Sequence, residues 1–285
     1  MRIQRERLEA YARELPVAEI AAPPALELPS TAQRGEARAA FVLALDAINF
    51  GSGYFPQLRK SEGLSGYRTL EARLRQWFER EGPPTPTSLR GLDAEACARI
   101  FDQPPGDPAV AELMRLYARA LSDLGEFVAD DFGAPLRASR GSAERLVESL
   151  LEMPLYRDVS EYAGVRVPFL KRAQLTVQDL ASTGAAEFSD LDRLTIFADN
   201  LVPHVLRLDG VLHFDAGLVE RIDAGRLLEP GSLEEVEIRA CAVHAVELLA
   251  RDDLPPRLLD VWLWWRGSRP GYKAHPRHRC RCTYY

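Results

Sequence analysis

Lysine is nearly missing from this chain. Only Lys60, Lys171 and Lys273 stand among 36 basic residues, and the other 33 are arginine. An arginine fork suits anions, but the simpler source of such a bias is a GC-rich or thermophilic origin. Cysteine is scarce too. Four residues, two of them in Cys280-Arg-Cys282, do not make the disulfide framework of a small secreted domain. No apolar run approaches the roughly 18 residues that a membrane helix needs. The stretch from Met1 to Glu9 is charged throughout and lacks the apolar centre of a secretory signal. Excess positive charge is also lacking: 36 basic against 42 acidic groups give −6, which argues against a nucleic-acid coat. These absences imply a cytoplasmic protein with no membrane partner and no stable nucleic-acid partner.

What is present is enough for a sizeable core: 285 residues, 46% hydrophobic and 27% charged. Charge is unevenly spread. Arg266, Arg269, Lys273, Arg277, Arg279 and Arg281 make the last twenty residues +6 with no acid, so the preceding 265 carry −12.

Helical periodicity dominates, and no convincing run of alternating strands appears. Asp107-Pro108 opens a helix over 107–130, with Leu113, Leu116, Tyr117, Leu121 and Leu124 on one face. Ser232-Leu-Glu-Glu235 reads as a capping box for a helix to about Arg251, with Val236, Val243 and Val246 among its apolar positions and His244 as a core histidine. Further helices are expected near 36–50, 67–80, 93–102, 142–152, 168–182, 190–202 and 216–224, and one from Pro255-Pro256 through Trp265. Asp209-Gly210 suggests a tight turn and a small hairpin over 207–215. The expected architecture is all-α, a single domain over 1–285 in two lobes.

Familiar catalytic templates fail: there is no Gly-rich phosphate loop, no Gly-x-Ser-x-Gly elbow and no His-Glu-x-x-His helix. His275, His278, Cys280 and Cys282 can all bind zinc. They are packed into eight residues among arginines, whereas structural zinc sites come as two separated pairs. A basic loop folding over an anion is the better reading, and no metal or cofactor is expected.

Three segments carry polar residues where a core helix has no use for them. In Phe41-Val-Leu-Ala-Leu-Asp46-Ala-Ile-Asn49-Phe50-Gly-Ser-Gly-Tyr54-Phe55, a carboxylate interrupts an apolar run and aromatics follow on a Gly-Ser-Gly turn. Either Asp46 caps a helix or meets an arginine, or it edges an aromatic pocket for a planar heterocycle. In Leu194-Thr-Ile-Phe197-Ala-Asp199-Asn200-Leu-Val-Pro203-His204, an Asp lies within an expected helix just before a kinking proline. In Leu259-Asp260-Val-Trp262-Leu-Trp264-Trp265, three tryptophans crowd an Asp, and each indole N–H wants a polar partner. Lys171 lies on a fourth segment, the amphipathic helix that follows Pro168.

Taken in order, Leu45-Asp46-Ala-Ile-Asn49-Phe50, Phe169-Leu-Lys171-Arg172-Ala-Gln174-Leu, Phe197-Ala-Asp199-Asn200-Leu-Val-Pro203, Leu259-Asp260-Val-Trp262-Leu-Trp264 and the ending Arg277-His-Arg-Cys-Arg-Cys-Thr283-Tyr284-Tyr285 resemble the queuosine salvage protein family. The resemblance implies a helical fold similar to helix-hairpin-helix DNA glycosylases. It also implies hydrolysis of queuosine 5′-phosphate to queuine and ribose 5-phosphate. Asp199 would then be the catalytic carboxylate, as nucleophile or oxocarbenium stabiliser, with Lys171 as a second catalytic candidate. Queuine is a 7-deazapurine and has no N7 to protonate, so the leaving base needs edge contacts. Asp46, Asn49 and Asp260 are candidates for that role, and Phe50, Tyr54, Phe197 and Trp264 are candidate stacking surfaces. Many relatives have Tyr and Gln where this chain has Asn200 and His204, so base contacts at these two positions stay open. Lys171, His275, Arg277, Arg279 and Tyr285 are candidate phosphate ligands. Two other readings remain: a base-excision-type glycosylase acting on nucleic acid, and a binding module that holds a heterocycle without chemistry.

Overall fold

Side-chain caps set several of the helix starts. Asp107 Oδ1 accepts the N–H groups of Ala109 and Val110 at 2.8 and 3.2 Å, and Asp93 Oδ1 that of Ala96 at 2.7 Å. The computed structural model describes all 285 residues. In chain order it runs β1 (Arg2–Ile3), α1 (Arg5–Glu14), α2 (Val17–Ile20), α3 (Gly35–Ala47), α4 (Gly66–Glu81), α5 (Pro86–Arg90), α6 (Ala94–Ile100), α7 (Pro108–Phe127), α8 (Ala134–Ala138) and α9 (Ala143–Leu150). Next come β2 (Val159–Tyr162), β3 (Val165–Pro168), α10 (Lys171–Ser182), α11 (Val202–Leu208), β4 (Leu212–His213), α12 (Ala216–Asp223), α13 (Leu233–Leu249), α14 (Pro256–Gly267) and α15 (Pro270–Lys273).

The chain forms two compact units. The first gathers Met1–Pro24, Asp158–Lys171 and Asp192–Cys282; the second gathers Ala25–Arg157, Arg172–Leu191 and Thr283–Tyr285. In the second unit the nearly all-apolar α3 is buried from Ala39 to Ala47. The Leu113, Tyr117, Leu121 and Leu124 face of α7 is fully buried in the same unit. In the first unit α13, α14 and α11 pack around Val205, Leu206, Val246, Leu259 and Leu263. No helix is long and apolar enough to cross a membrane.

The mostly helical expectation holds, with two small ribbons added. β1 pairs antiparallel with β4, and β2 pairs with β3 across a turn at Ala163 and Gly164, both at positive φ. That turn conformation is the one Gly164 makes possible. The ribbon escaped the sequence reading because each strand has only four residues.

Four expectations are corrected. No helix covers 190–202. After a 3-10 turn at Leu191–Arg193 the chain is irregular to Leu201, and α11 begins at Val202 with Pro203 in its first turn, where a missing N–H costs nothing. No hairpin turns at Asp209-Gly210; that turn ends α11, and Leu212 and His213 instead pair with residues at the head of the chain. The helix expected from 168 starts at Lys171, because Pro168 ends β3 and the Phe169 and Leu170 N–H groups both bond Asp158 O. His244 is exposed on α13 rather than core. The box at Ser232 forms in part: Ser232 Oγ accepts from Glu235 N at 3.4 Å, while Glu235 Oε2 takes the Gly231 N–H.

The deepest polar group of the first unit is an ion pair. Arg239, 0% exposed on α13, donates from Nη1 to Asp158 Oδ1 at 2.9 Å and from Nη2 to Asp158 Oδ2. Glu235 stands one turn before it. Its guanidinium lies 3.9 Å from the centre of the Phe169 ring. Replacing one member of such a pair strands the other in a dry interior. Arg239→Met is expected to lower unfolding free energy by about 3–5 kcal/mol in urea titration, and adding Asp158→Leu to recover part of that loss.

Candidate functional site

Residues 197–200 belong to no helix or strand, and bonds to side chains elsewhere and from their own side chains hold them in place. The Phe197 N–H donates to Asp260 Oδ1 at 2.9 Å. The Ala198 carbonyl accepts from Arg239 Nε at 2.9 Å. Asp199 Oδ1 accepts the Leu201 and Val202 N–H groups at 2.7 and 3.0 Å, capping α11. The Asn200 amide donates to His278 O at 3.0 Å. Four successive residues are thereby immobilised.

The cap leaves Asp199 with one oxygen committed and Oδ2 without a hydrogen bond. Asp260, from α14, lies close enough for the Asp199 charge to act on it. Burial first, and that charge second, push the Asp260 carboxyl well above the usual carboxylate range; the Phe197 N–H and the Lys171 ammonium pull the other way. Lys171 is buried, and its own N–H donates to Asp158 Oδ2 at 3.1 Å. Arg277 makes no hydrogen bond or ion pair, and its Nε is buried without an acceptor. Burial lowers its guanidinium below the ordinary arginine value, while Asp199 acts to raise it. Asp199 and Arg277 thus feel each other across a gap without closing on each other. An anchored carboxylate, a carboxyl biased towards its neutral form and a free guanidinium together can stabilise positive charge, offer a proton and hold an anion.

Of the expected site residues, the first unit brings together Lys171, Phe197, Asp199, Asn200, His204, Asp260 and Arg277. Asn200 and His204 direct their donors at the backbone of the basic segment, His204 Nε2 bonding Tyr272 O at 3.0 Å. The last twenty residues are less free than their charge suggests. Arg266 pairs with Asp209 at 3.0 Å and Arg269 with Glu19 at 3.2 Å. His275 is exposed, and Cys280 and Cys282 are buried, each thiol held against the other. Arg279 is half-buried, and its carbonyl accepts the Leu228 N–H. Among the tryptophans, Trp262 donates to Glu19 Oε1 at 3.3 Å, while half-buried Trp264 meets Trp265 edge-on at 5.6 Å.

The second unit gathers the others. Asp46 is fully buried, with Asn49 Nδ2 donating to its Oδ1 at 3.4 Å. The Phe50 ring meets Tyr117 edge-on at 5.1 Å and the Arg172 guanidinium at 4.7 Å, so it is a packed core ring. Tyr54 is buried. Tyr285 O accepts the N–H groups of Gly51 and Ser52 at 3.0 and 3.3 Å, and Gly51 holds the required φ of +106°.

The sequence reading missed Asp158 and Arg239. A signal existed, since Arg239 follows Ile238 on the apolar face of α13, but nothing in the sequence named its partner 81 residues away.

A family model described as queuosine salvage protein matches residues 29–285. The chain belongs to the queuosine salvage protein family. Curated relatives named queuosine 5′-phosphate N-glycosylase/hydrolase are similar over most of its length. One from Sphaerobacter thermophilus is 36% identical over 265 residues, covering 88% of this chain and 82% of the relative. One from Mus musculus is 30% identical over 284 residues with the same two shares. One from Schizosaccharomyces pombe is 27% identical, over 79% and 73%. The match takes in every candidate site residue and leaves β1, α1 and α2 outside.

Two buried histidines near the site give the fold an acid-sensitive contribution. Burial, the largest influence on each, lowers His204 to about 4 and His278 to about 3. Between the free histidine value of about 6.5 and these lower values, the unfolded chain binds protons that the folded chain refuses. The histidine contribution to stability is therefore present above pH 6.5 and falls as pH drops towards 4, while the raised Asp260 carboxyl, protonated in the folded chain, acts in the opposite direction. Thermal unfolding followed from about pH 7 to pH 4.5 is expected to show His204→Gln losing less stability on acidification than the unaltered protein.

Proposed function

We propose that the protein hydrolyses the N-glycosidic bond of queuosine 5′-phosphate, releasing queuine and ribose 5-phosphate, with Asp199 as the catalytic carboxylate. The observation that carries this reading is the half-committed Asp199: one oxygen fixed on two backbone N–H groups, the other bare. As the bond from C1′ to the base nitrogen breaks, its electron pair leaves with the base and positive charge develops on the ribose. A preorganised oxygen that needs no reorientation stabilises that charge, by attack on C1′ or by electrostatics alone. The family membership and the names of the relatives support the substrate and the reaction class.

The other groups take roles by their charge. Asp260, biased towards its neutral form, can donate a hydrogen bond to the departing base, which compensates for the absent N7. Arg277, with donors to spare, receives the 5′-phosphate together with the Lys171 ammonium. Water then adds to C1′, breaking any bond that Asp199 has formed there; the departing base takes the Asp260 proton, and the proton from the water restores it.

Mass spectrometry of queuine released from queuosine 5′-phosphate, with guanosine 5′-phosphate as control, tests the reaction. No release from the deazapurine nucleotide would remove the proposal. Asp199→Asn keeps the oxygen that caps α11, so the variant is expected to fold normally and to lose about a thousandfold in rate, roughly 4 kcal/mol of barrier. Turnover near that of the unaltered protein would take Asp199 out of the chemistry.

A further inference from the structure

His204 and Arg207 stand three residues apart on one face of α11, and Asn200 lies two residues before its start. Each ends on a backbone carbonyl of a single later segment. Asn200 Nδ2 reaches His278 O, His204 Nε2 reaches Tyr272 O, and Arg207 Nη2 reaches Pro276 O, all at 3.0 Å. Carbonyls only accept, so all three side chains are donors, and His204 is fixed as the tautomer with its proton on Nε2. The bonds at Pro276 and His278 flank Arg277 on both sides. The residue that supplies the second of them is the immediate neighbour of Asp199.

We propose that Asn200, His204 and Arg207 are positioning residues, a three-point strap that seats segment 272–278 along α11 and so presents the Arg277 guanidinium to the phosphate of the nucleotide. This rests on the function proposed above.

The strap explains three observations at once. Arg277 stays beside Asp199 without pairing to it, because its main chain is held at both neighbours. His204 is buried although its Nδ1 finds no partner, because its value lies in the opposite nitrogen. Asn200 and His204 contribute through the segment they anchor rather than by reading the base. Arginine suits the outermost point, since its length spans from a half-buried position on α11 to the Pro276 carbonyl while its guanidinium lies over the Phe214 ring at 5.7 Å.

Binding of ribose 5-phosphate, measured by thermal shift and calorimetry with ribose as control, tests the strap without requiring turnover. His204→Leu removes one anchor, and His204→Gln keeps a terminal N–H that reaches the same carbonyl. His204→Leu is expected to weaken ribose 5-phosphate at least tenfold, and His204→Gln to restore most of it. Arg207→Met, a change at a half-buried position with little consequence for the core, is expected to weaken it in the same direction. In hydrogen exchange, the amides of 272–278 are expected to open faster in the leucine and methionine variants. In turnover, KM for queuosine 5′-phosphate should rise while kcat holds, and the preference over unphosphorylated queuosine should shrink. Unchanged ribose 5-phosphate affinity in Arg207→Met and in folded His204→Leu would overturn the strap. So would an equal loss in His204→Leu and His204→Gln. Failure of the unaltered protein to release queuine overturns the proposed reaction instead, and the binding and exchange measurements still decide the strap.

Discussion

The first unit depends on one buried contact, the double hydrogen bond between Arg239 and Asp158. Arg239 leaves its remaining nitrogen, Nε, for the Ala198 carbonyl. Asp158 meanwhile holds Lys171 by its side chain and Phe169 and Leu170 by its carbonyl. A buried ion pair is a poor source of net stability, since desolvation offsets most of the attraction. Its use here is geometric. A planar fork with donors on two edges joins α13, the residue preceding β2 and the residue preceding Asp199 in one rigid arrangement, and Asp158 carries it on to the segment after β3. Lysine, with a single charged point, could not make those connections.

The arginine bias therefore has a structural side as well as a compositional one. Arg172 in the second unit works in a similar way, donating to Ala47 O at 2.6 Å and to Leu155 O between the rings of Phe50 and Tyr156. Arg266 is bound by Asp209, which also accepts from Tyr11 at 2.7 Å and Tyr272 at 2.6 Å. The two exposed lysines, Lys60 and Lys273, take no part in such frameworks. Lys171 is the exception, buried where its charge acts on the Asp260 carboxyl.

Much of the helical layout could be read locally. Asp107-Pro108, Ser232 and Pro255-Pro256 carry start signals that act within a single turn, and α7, α13 and α14 begin where those signals stand. The residues around Asp199 were misread for a physical reason. Leu194 to Leu201 has apolar content suited to a helix, yet its backbone bonds are supplied by Asp260 and Arg239, which no local pattern announces. The conspicuous carboxylates at 46, 199 and 260 were legible because a charge in an apolar run is anomalous wherever it stands. Their partners were not, because those lie far along the chain. The tail showed the opposite failure: its net charge was plain, while Asp209 and Glu19, which neutralise part of it, sit elsewhere.

The non-helical course of residues 197–200 also bears on how the molecule acquires its activity. The anchors come from Arg239, Asp260 and the His278 carbonyl, at separations of 41, 63 and 78 residues. Helices such as α7 can form early from neighbours in sequence, but this stretch has no local structure to fall back on. Its geometry exists only once three distant parts of the chain have closed around it. Recovery of the Asp199 geometry during refolding would thus report the completion of tertiary structure, and a chain with its full helical content could still lack it.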